Sequence, residues 1–324
     1  MTTDSQPFDD IRNLISTMPH ADEAAMEGVK TRLDAYIPAL RPFGHFSEAL
    51  IWLAGWQGRP APAIDRPLVA VFAGAHASAQ RTMNIDPVKG AQERVAGLTK
   101  GAAAVRGMAA SFGAAFKVYE MGIEHPSADM TETASLSERD CAAAIAFGME
   151  VVAEGADVIV LGNAGFGSAA AAAAIAFGLF GGSSAYWAGG KDTHAIGRIE
   201  AIEAATSLHK AHLADPLHVL RCFGGRDIAG LIGAILAARH QSIPIILDGY
   251  VVCAAAAVLH QISPDSISHC YAGHLSSEPA HGALLERMGL KPMLDIGVGV
   301  GDGTGSVLAL GALIAAAKGL QTTT

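Results

Sequence analysis

Residues 295–310 carry the clearest chemical signal in the chain, because five glycines alternate along a loop that holds one acid, Asp302, between Gly301 and Gly303. Glycine lets a backbone approach a ligand closely and adopt positive φ. A carboxylate held in such a loop, just ahead of an apolar helix, is a candidate proton acceptor. The dinucleotide-binding fingerprint does not fit, because its third glycine falls on Asp302 or Thr304. The alternative is a turn that only joins a strand to the last helix.

A second glycine-rich turn contains Asn163, Gly165, Gly167 and Ser168. It follows a strand-like run and opens an alanine-rich helix. Free N–H groups at the start of that helix, together with the Ser168 hydroxyl, predict a site for a phosphate or a carboxylate. It is not a Walker A loop, because the lysine and the hydroxyl residue after it are missing. A tight turn with Ser168 as the helix N-cap is the alternative.

Three further polar residues lie beside strand-like runs or open a helix. His76 ends the first run, where it either contacts a ligand or is a hydrogen-bonded structural histidine. Asp248 ends a later run, where it binds a ribose hydroxyl or a neighbouring loop N–H group. Asp227 lies in the first turn of a predicted helix, where its charge suits the helix dipole without a catalytic role.

The segment from His274 to His281 also follows a strand-like run and includes Ser276 and Glu278. Its spacing is compatible with metal ligands, but Pro279 lies between the second and third of them, and a zinc site needs three or four fixed ligands. We therefore expect no metal, and we interpret Ser276, Glu278 and His281 as polar contacts to a substrate. The alternative is a helix start that is capped by Ser276 or Ser277.

The runs that precede these turns indicate the fold class. Each short aliphatic run is a predicted buried strand, and most are followed by a glycine-containing turn and a helical segment. This order predicts an α/β fold with a parallel, doubly wound sheet and helices on both faces. Ligands bind at the carboxyl ends of such strands. The predicted strands are Leu68–Ala73, Phe116–Glu120, Asp157–Leu161, Ile243–Leu247, Ile267–Ala272 and Met293–Ile296.

The first 65 residues contain no predicted strand. Helices are predicted at Asp22–Leu40 and Phe46–Gln57. We expect residues 1–65 to form a small helical domain, completed by about residues 303–324, and residues 66–302 to form the parallel α/β domain. Further helices are predicted at Glu138–Glu154, Ala169–Phe180, Arg226–His240 and Gly303–Lys318.

Composition excludes several classes of protein. The net charge is −9 and there is no basic stripe, so we expect no nucleic-acid partner. The four cysteines are scattered, which favours reduced thiols and a cytoplasmic location over a disulfide framework. The longest apolar run, Ala169–Gly182, is shorter than the roughly 20 residues that cross a bilayer, so we expect no membrane association.

Several motifs together resemble the nicotinate-nucleotide–dimethylbenzimidazole phosphoribosyltransferase family of cobalamin lower-ligand synthesis. The resemblance extends over nearly the whole chain, and the motifs follow the family's order. They are Phe72-Ala-Gly-Ala-His76, Gly224-Gly-Arg-Asp-Ile-Ala229, Leu247-Asp-Gly-Tyr250, Gly273-His-Leu-Ser-Ser-Glu-Pro-Ala-His281 and Gly301-Asp-Gly-Thr-Gly305.

The resemblance implies a parallel α/β fold with a smaller helical domain, assembled as a homodimer. It implies transfer of the phosphoribosyl group of nicotinate mononucleotide to a benzimidazole-type base, with inversion at the anomeric carbon and release of nicotinate. No cofactor or metal is implied. The family's general base is a glutamate, which aligns with Asp302.

Some matched positions depart from the family pattern. Asp302 is one methylene shorter than the family glutamate, Asn163 replaces an acid, and Gly299 replaces an arginine. Ala75 replaces an aspartate, and Arg198 replaces a lysine. These changes keep open an alternative in which the chain is a weakened homologue. Such a homologue would bind a nucleotide or an azole, or would support an active partner subunit in a hetero-oligomer.

Overall fold

The protein is described by a computed structural model that covers residues 6–35, 42–101, 103–190 and 192–321. Within these residues six parallel strands form one sheet in the order β2-β1-β3-β4-β5-β6. The strands are β1 (Pro67–Ala73), β2 (Ala115–Glu120), β3 (Val158–Asn163), β4 (Ile245–Leu247), β5 (Cys270–Leu275) and β6 (Pro292–Asp295).

Helices precede, connect and follow these strands. They are α1 (Asp9–Ser16), α2 (Glu23–Asp34), α3 (Phe46–Gln57), α4 (Ser78–Met83), α5 (Pro87–Thr99), α6 (Ala104–Ser111), α7 (Glu138–Gly148), α8 (Ser168–Phe180), α9 (Ser184–Ala188), α10 (Ala195–His209), α11 (Pro216–Phe223), α12 (Arg226–His240), α13 (Gly249–Ile262), α14 (His281–Arg287) and α15 (Thr304–Gln321). Short 3₁₀ helices lie at Met149–Glu154, Lys210–His212 and Pro264–Ile267.

The strand order creates a switch point between β1 and β3. From β1 the chain passes to β2 on one side, and then returns to β3 on the other side of β1. The connections that leave β1 and β3 therefore diverge and open a crevice at the carboxyl ends of these two strands. Parallel α/β proteins bind ligands at this place.

Both faces of the sheet are covered, as predicted. Alternate residues of β1 enter different hydrophobic clusters, with Leu68 and Phe72 on one face and Val69 and Val71 on the other. Side chains of a strand point alternately to opposite faces, so a continuous apolar strand is buried on both sides.

The last helix, α15, packs against β5, α6 and α3. By length and composition it could span a membrane, but half of it is buried inside the protein, as in a core helix. Ala169–Gly182 is still the longest uninterrupted apolar run, because Thr304, Ser306 and Lys318 interrupt α15. The division into domains at residue 65 stays a prediction.

The predicted strands and helices are confirmed, with shifts at their ends. The fifth strand begins three residues later than predicted, because Pro264–Ile267 forms a 3₁₀ helix. The helix predicted at Glu138–Glu154 changes from α to 3₁₀ after Gly148. The helix predicted at Asp22–Leu40 is observed as far as Asp34, and residues 36–41 lie outside the described residues.

Candidate active site

A cleft of about 390 Å³ lies at the carboxyl ends of the central strands. It brings the two glycine-rich turns together and also reaches the segment after β5. Of the predicted site residues, those that line it are Asn163, Gly165, Ser168, Glu278, Gly301 and Asp302. Its other walls are Arg94, Gly97, Leu98, Ala103, Ala164, Ala169, Val251, Gly299 and Val300.

Asp302 presents one carboxylate oxygen to protein and leaves the other without a protein partner among the described residues. Its Oδ1 accepts hydrogen bonds from the Thr304 backbone N–H at 3.1 Å and from the Thr304 hydroxyl at 2.6 Å. These bonds fix the side chain just before α15, at the edge of the cleft. The second oxygen, Oδ2, is therefore available to accept a proton from a bound molecule.

The loop that carries Asp302 rests directly on the end of β3. The Asn163 N–H donates to the Gly301 carbonyl at 2.7 Å. A Cβ atom on Gly162 would lie 2.7 Å from the Asp302 carbonyl carbon, closer than real Cβ contacts come. Glycine at position 162 therefore allows the two turns to touch.

Asp248 has the second of its two predicted roles, because its carboxylate binds loop N–H groups. Oδ2 accepts from the Gly303 N–H at 2.9 Å, and Oδ1 accepts from the Ser306 N–H at 2.7 Å. The His274 Nε2 lies 3.2 Å from Oδ1. Asp248 is fully buried, so these charge-assisted bonds fix the backbone on the C-terminal side of Asp302.

Asp227 is the centre of a buried network that the helix-dipole interpretation did not predict. Its Oδ1 lies 2.9 Å from His76 Nε2, while its Oδ2 accepts from Asn163 Nδ2 at 2.8 Å and from Ser168 Oγ at 2.9 Å. Burial alone would raise the pKa of Asp227, but the His76 charge and these hydrogen bonds lower it to about 2. The network ties the turn after β3 to His76 and to the start of α12.

The residue that caps the N-terminus of α8 is not the one considered in the sequence analysis. Gly167, with φ of 94°, is the N-cap residue, and Ser168 is the first residue of the helix. The alternative of Ser168 as N-cap is therefore wrong, because its hydroxyl binds Asp227. A Cβ atom on Gly165 would overlap both the Asp227 carboxylate and the Ser168 hydroxyl, so only glycine fits there.

The segment after β5 supports the cleft from behind. His281 is fully buried, accepts the Ser276 N–H at its Nδ1, and has Nε2 3.3 Å from Cys253 Sγ. Burial lowers the pKa of His281 to about 4. Glu278 lies at the open edge of the cleft, where partial desolvation raises the pKa of its carboxyl.

Several predicted contact residues do not line the cleft. Four of them are buried and bind protein groups, namely His76, Asp248, Ser276 and His281. A fifth, Gly303, follows Asp302 in its loop and adopts φ of 102°. Their direct contact with a substrate stays a prediction. Gly167 lines a smaller cavity that adjoins the cleft.

Arg94 was not predicted from the sequence. It lies on α5, lines the cleft, and donates from Nη1 to the Gly165 carbonyl at 2.7 Å. Nothing in the local sequence distinguishes it from an ordinary exposed residue of an amphipathic helix, because its position depends on how α5 packs against the turn after β3.

A sequence model of the phosphoribosyltransferase family matches residues 18–324. The chain belongs to this family. The match covers both glycine-rich turns and the loop of Asp302, so the residues that form the cleft lie inside the matched region. The resemblance inferred from the motifs is confirmed at the level of the family.

Curated members of this phosphoribosyltransferase family are similar over nearly their whole length. A nicotinate-nucleotide–dimethylbenzimidazole phosphoribosyltransferase from Methylocella silvestris is 42% identical over 320 residues, which is 98% of this chain and 94% of the relative. One from Brucella canis is 43% identical over 322 residues, with 98% and 95% covered.

The fold is also shared with a solved structure. The crystal structure of the nicotinate-nucleotide–dimethylbenzimidazole phosphoribosyltransferase from Thermus thermophilus superposes with a TM-score of 0.85 at 28% identity. The alignment covers 94% of this chain and 97% of that chain. The parallel α/β architecture predicted from the sequence is therefore confirmed.

Proposed function

We propose that the protein transfers the phosphoribosyl group of nicotinate mononucleotide to 5,6-dimethylbenzimidazole or a related base. The products are the α-ribazole phosphate and nicotinate, as required for cobalamin lower-ligand synthesis. The observation that carries this proposal is the open carboxylate oxygen of Asp302, held in one cleft with the Asn163–Ser168 turn and the start of α8. The relatives named above are enzymes of this activity.

The cleft supports a direct displacement in which the protein supplies position and a base. Backbone N–H groups of the turn before α8, with the Ser168 hydroxyl close by, hold the 5′-phosphate. The acceptor nitrogen attacks the anomeric carbon from the side opposite nicotinate, so that carbon inverts. Its new C–N bond forms as the bond to nicotinate breaks, and nicotinate leaves with that electron pair.

Asp302 accepts the proton that the acceptor ring loses. The acceptor's N–H must be removed when its other nitrogen becomes bonded to ribose, and Oδ2 of Asp302, which has no protein partner among the described residues, accepts this proton. Holding both rings beside the ribose accounts for much of the rate. The cleft volume of about 390 Å³ lies in the usual range for small-molecule sites, roughly 300–1,000 Å³.

The test uses purified protein with nicotinate mononucleotide and 5,6-dimethylbenzimidazole, and measures nicotinate release by chromatography. We expect turnover in the wild type and loss of turnover, by about a hundredfold or more, in Asp302→Asn, because the amide cannot accept the proton. Asp295→Asn is the matched control, since Asp295 is an exposed aspartate at the end of β6. Full activity in Asp302→Asn would remove Asp302 from the mechanism.

Asp302→Glu tests the effect of side-chain length. The added methylene extends the carboxylate by roughly 1.5 Å to the length of the family glutamate, and a misplacement of about 1 Å can cost a hundredfold in rate. We expect kcat for dimethylbenzimidazole to rise. A fall in kcat would mean that the cleft is fitted to aspartate.

We also propose that the protein is a homodimer in the cytoplasm. Large apolar side chains are exposed at Tyr186, Ile196 and Leu208, which favours burial against a second copy. All four cysteines are free thiols, which is typical of a reducing compartment. Sedimentation of the purified protein tests the assembly, and a monomer at micromolar concentration would contradict it.

A further inference from the structure

A second, smaller cavity of about 70 Å³ lies beside the cleft, under the first residues of α8. Two arginines line it together with Ser168 and Ala169. Arg94 lines this cavity and the cleft of Asp302, so its side chain lies where the two meet.

The two arginines differ in what they bind. Arg198 is paired with Asp192, with Nη2 2.6 Å from one oxygen and Nη1 2.9 Å from the other, and it also donates to the Ala188 carbonyl. Its charge is therefore offset within the protein. Arg94 forms no ion pair within the described part of the chain, and its hydrogen bond goes to the neutral Gly165 carbonyl.

Arg94 is nevertheless fixed in place. Its guanidinium carbon lies 5.0 Å from the centre of the Phe166 ring, and its Nη1 is held by Gly165. Partial desolvation lowers the pKa of Arg94, while the nearby charge of Asp227 opposes this effect. A guanidinium has five N–H donors, so most of them remain for a molecule in the cavity.

We propose that Arg94 binds the 5′-phosphate of the donor nucleotide, a role that rests on the proposed function. The turn after β3 offers few side-chain donors to a phosphate, because positions 169 and 170 are alanine and the Ser168 hydroxyl donates to Asp227. Arg94 supplies from α5 the donors that this turn lacks. In a chain with a net charge of −9, an unpaired arginine also offsets the repulsion of a phosphate.

The phosphate is favoured over the nicotinate carboxylate because Arg94 holds the Gly165 carbonyl, within the turn that opens α8. The start of α8 and the guanidinium therefore border the same small cavity, where a group with several acceptor oxygens would satisfy both.

The experiment measures binding by titration calorimetry for the wild type, Arg94→Met and Arg94→Lys. The ligands are nicotinate mononucleotide, its riboside without phosphate, and ribose 5-phosphate. For Arg94→Met we expect nicotinate mononucleotide to bind more weakly by about tenfold or more, because a charge-assisted hydrogen bond to the phosphate is lost. Arg94→Lys should retain part of the affinity, and riboside binding should not change.

Arg106→Met is the matched control, because Arg106 is an exposed arginine that donates from Nη1 to a carbonyl, that of Thr99, outside both cavities. Circular dichroism and the unfolding midpoint verify that each variant is folded. Equal weakening for the mononucleotide and the riboside would place Arg94 at the nicotinate carboxylate and overturn the proposal, as would unchanged binding in Arg94→Met.

The titration with ribose 5-phosphate distinguishes failure of the proposed role of Arg94 from failure of the proposed function. If the wild type binds ribose 5-phosphate in a way that depends on Arg94 but does not bind nicotinate mononucleotide, the proposed donor is wrong and the phosphate site stands. If the wild type binds and turns over nicotinate mononucleotide and Arg94→Met does the same, the function stands and the role of Arg94 is wrong.

Discussion

The two oxygens of Asp302 have different environments, and this difference gives the residue its proposed chemistry. Oδ1 is held by Thr304, which determines where the side chain points, while Oδ2 has no protein partner among the described residues and the residue lines the cleft. A base that is held by one oxygen is oriented before the substrate arrives. The shorter side chain is compatible with this role only if the loop itself is held rigidly.

Asp248 provides that rigidity, and its replacement is a residue-scale prediction. In Asp248→Asn the amide group faces two backbone N–H donors with one acceptor, so the bond to Gly303 or to Ser306 is lost. We expect kcat to fall by about ten- to a hundredfold through displacement of Asp302, with the KM for nicotinate mononucleotide little changed. Steady-state kinetics measures both.

Asp157→Asn is the control for Asp248→Asn. Asp157 also accepts two backbone N–H groups through one carboxylate, from Asp65 at 2.7 Å and Arg66 at 2.9 Å, but at the amino end of β3, away from the cleft. We expect it to lower stability and leave kcat unchanged. Equal effects of the two variants on kcat would show that Asp248 acts through general stability alone.

Residue types and their spacing along the chain predicted some of the site. The position of Asp302 in a loop before the last helix could be predicted because its glycine-rich context is local, while its role as base stays a prediction. One of the two roles considered for Asp248 is the one observed. The network of Asp227 was not predicted, because His76, Asn163 and Ser168 reach it from distant parts of the chain. The position of Asp227 in the first turn of a predicted helix indicated only a favourable interaction with the helix dipole.

At the scale of elements, glycines allow α7 and α12 to pack unusually closely. A Cβ atom on Gly148 would overlap the Gly230 carbonyl, and one on Gly233 would overlap the Ile145 carbonyl. The backbones of the two helices are therefore in direct contact. Because α12 begins one residue before Asp227, this contact also positions the network beside the cleft.

Gly233→Ala should separate these helices. We expect a loss of about 2–3 kcal/mol in the free energy of unfolding, because the added methyl group overpacks a backbone contact. Gly107→Ala on α6 is the matched control, since a Cβ atom there would meet open space, and it should gain up to about 1 kcal/mol from helix propensity. Urea unfolding followed by circular dichroism gives both values, and an unchanged Gly233→Ala midpoint would contradict the close packing.

The strands were predictable because aliphatic runs bounded by glycine-containing turns are local features. Their order in the sheet was not predicted, since it depends on how the long excursion from α8 to α12 returns the chain to β4 beside β3.

At the scale of the whole molecule, the N-terminal helices share a core with the sheet. Val29 and Leu53 from α2 and α3 belong to the same hydrophobic cluster as Val71 of β1 and Leu313 of α15. An element that buries its apolar face against the sheet gains its stability from that sheet. The helical and α/β parts should therefore depend on each other for stability.

This shared core predicts a single cooperative unfolding transition. Differential scanning calorimetry should give a calorimetric enthalpy equal to the van't Hoff enthalpy. Leu53→Ala in α3 should lower the midpoint of the whole transition, because a buried leucine truncated to alanine costs about 2–5 kcal/mol. Two separate transitions, with only the first shifted by Leu53→Ala, would instead favour independent domains.

The low pKa of Asp227 keeps its carboxylate ionised over the ordinary physiological range of pH. Its hydrogen bonds to the turn after β3 therefore do not depend on pH in that range. An acid whose pKa is lowered by folding stabilises the native state above its unfolded value, about 3.9, and that contribution disappears as the pH falls towards 2. At any milder pH the anion continues to hold Asn163 and Ser168. Mild acidification would therefore leave these two hydrogen bonds intact. A pH response nearer neutrality would originate in other groups, such as His274, whose pKa is raised because the Asp248 carboxylate outweighs the effect of burial.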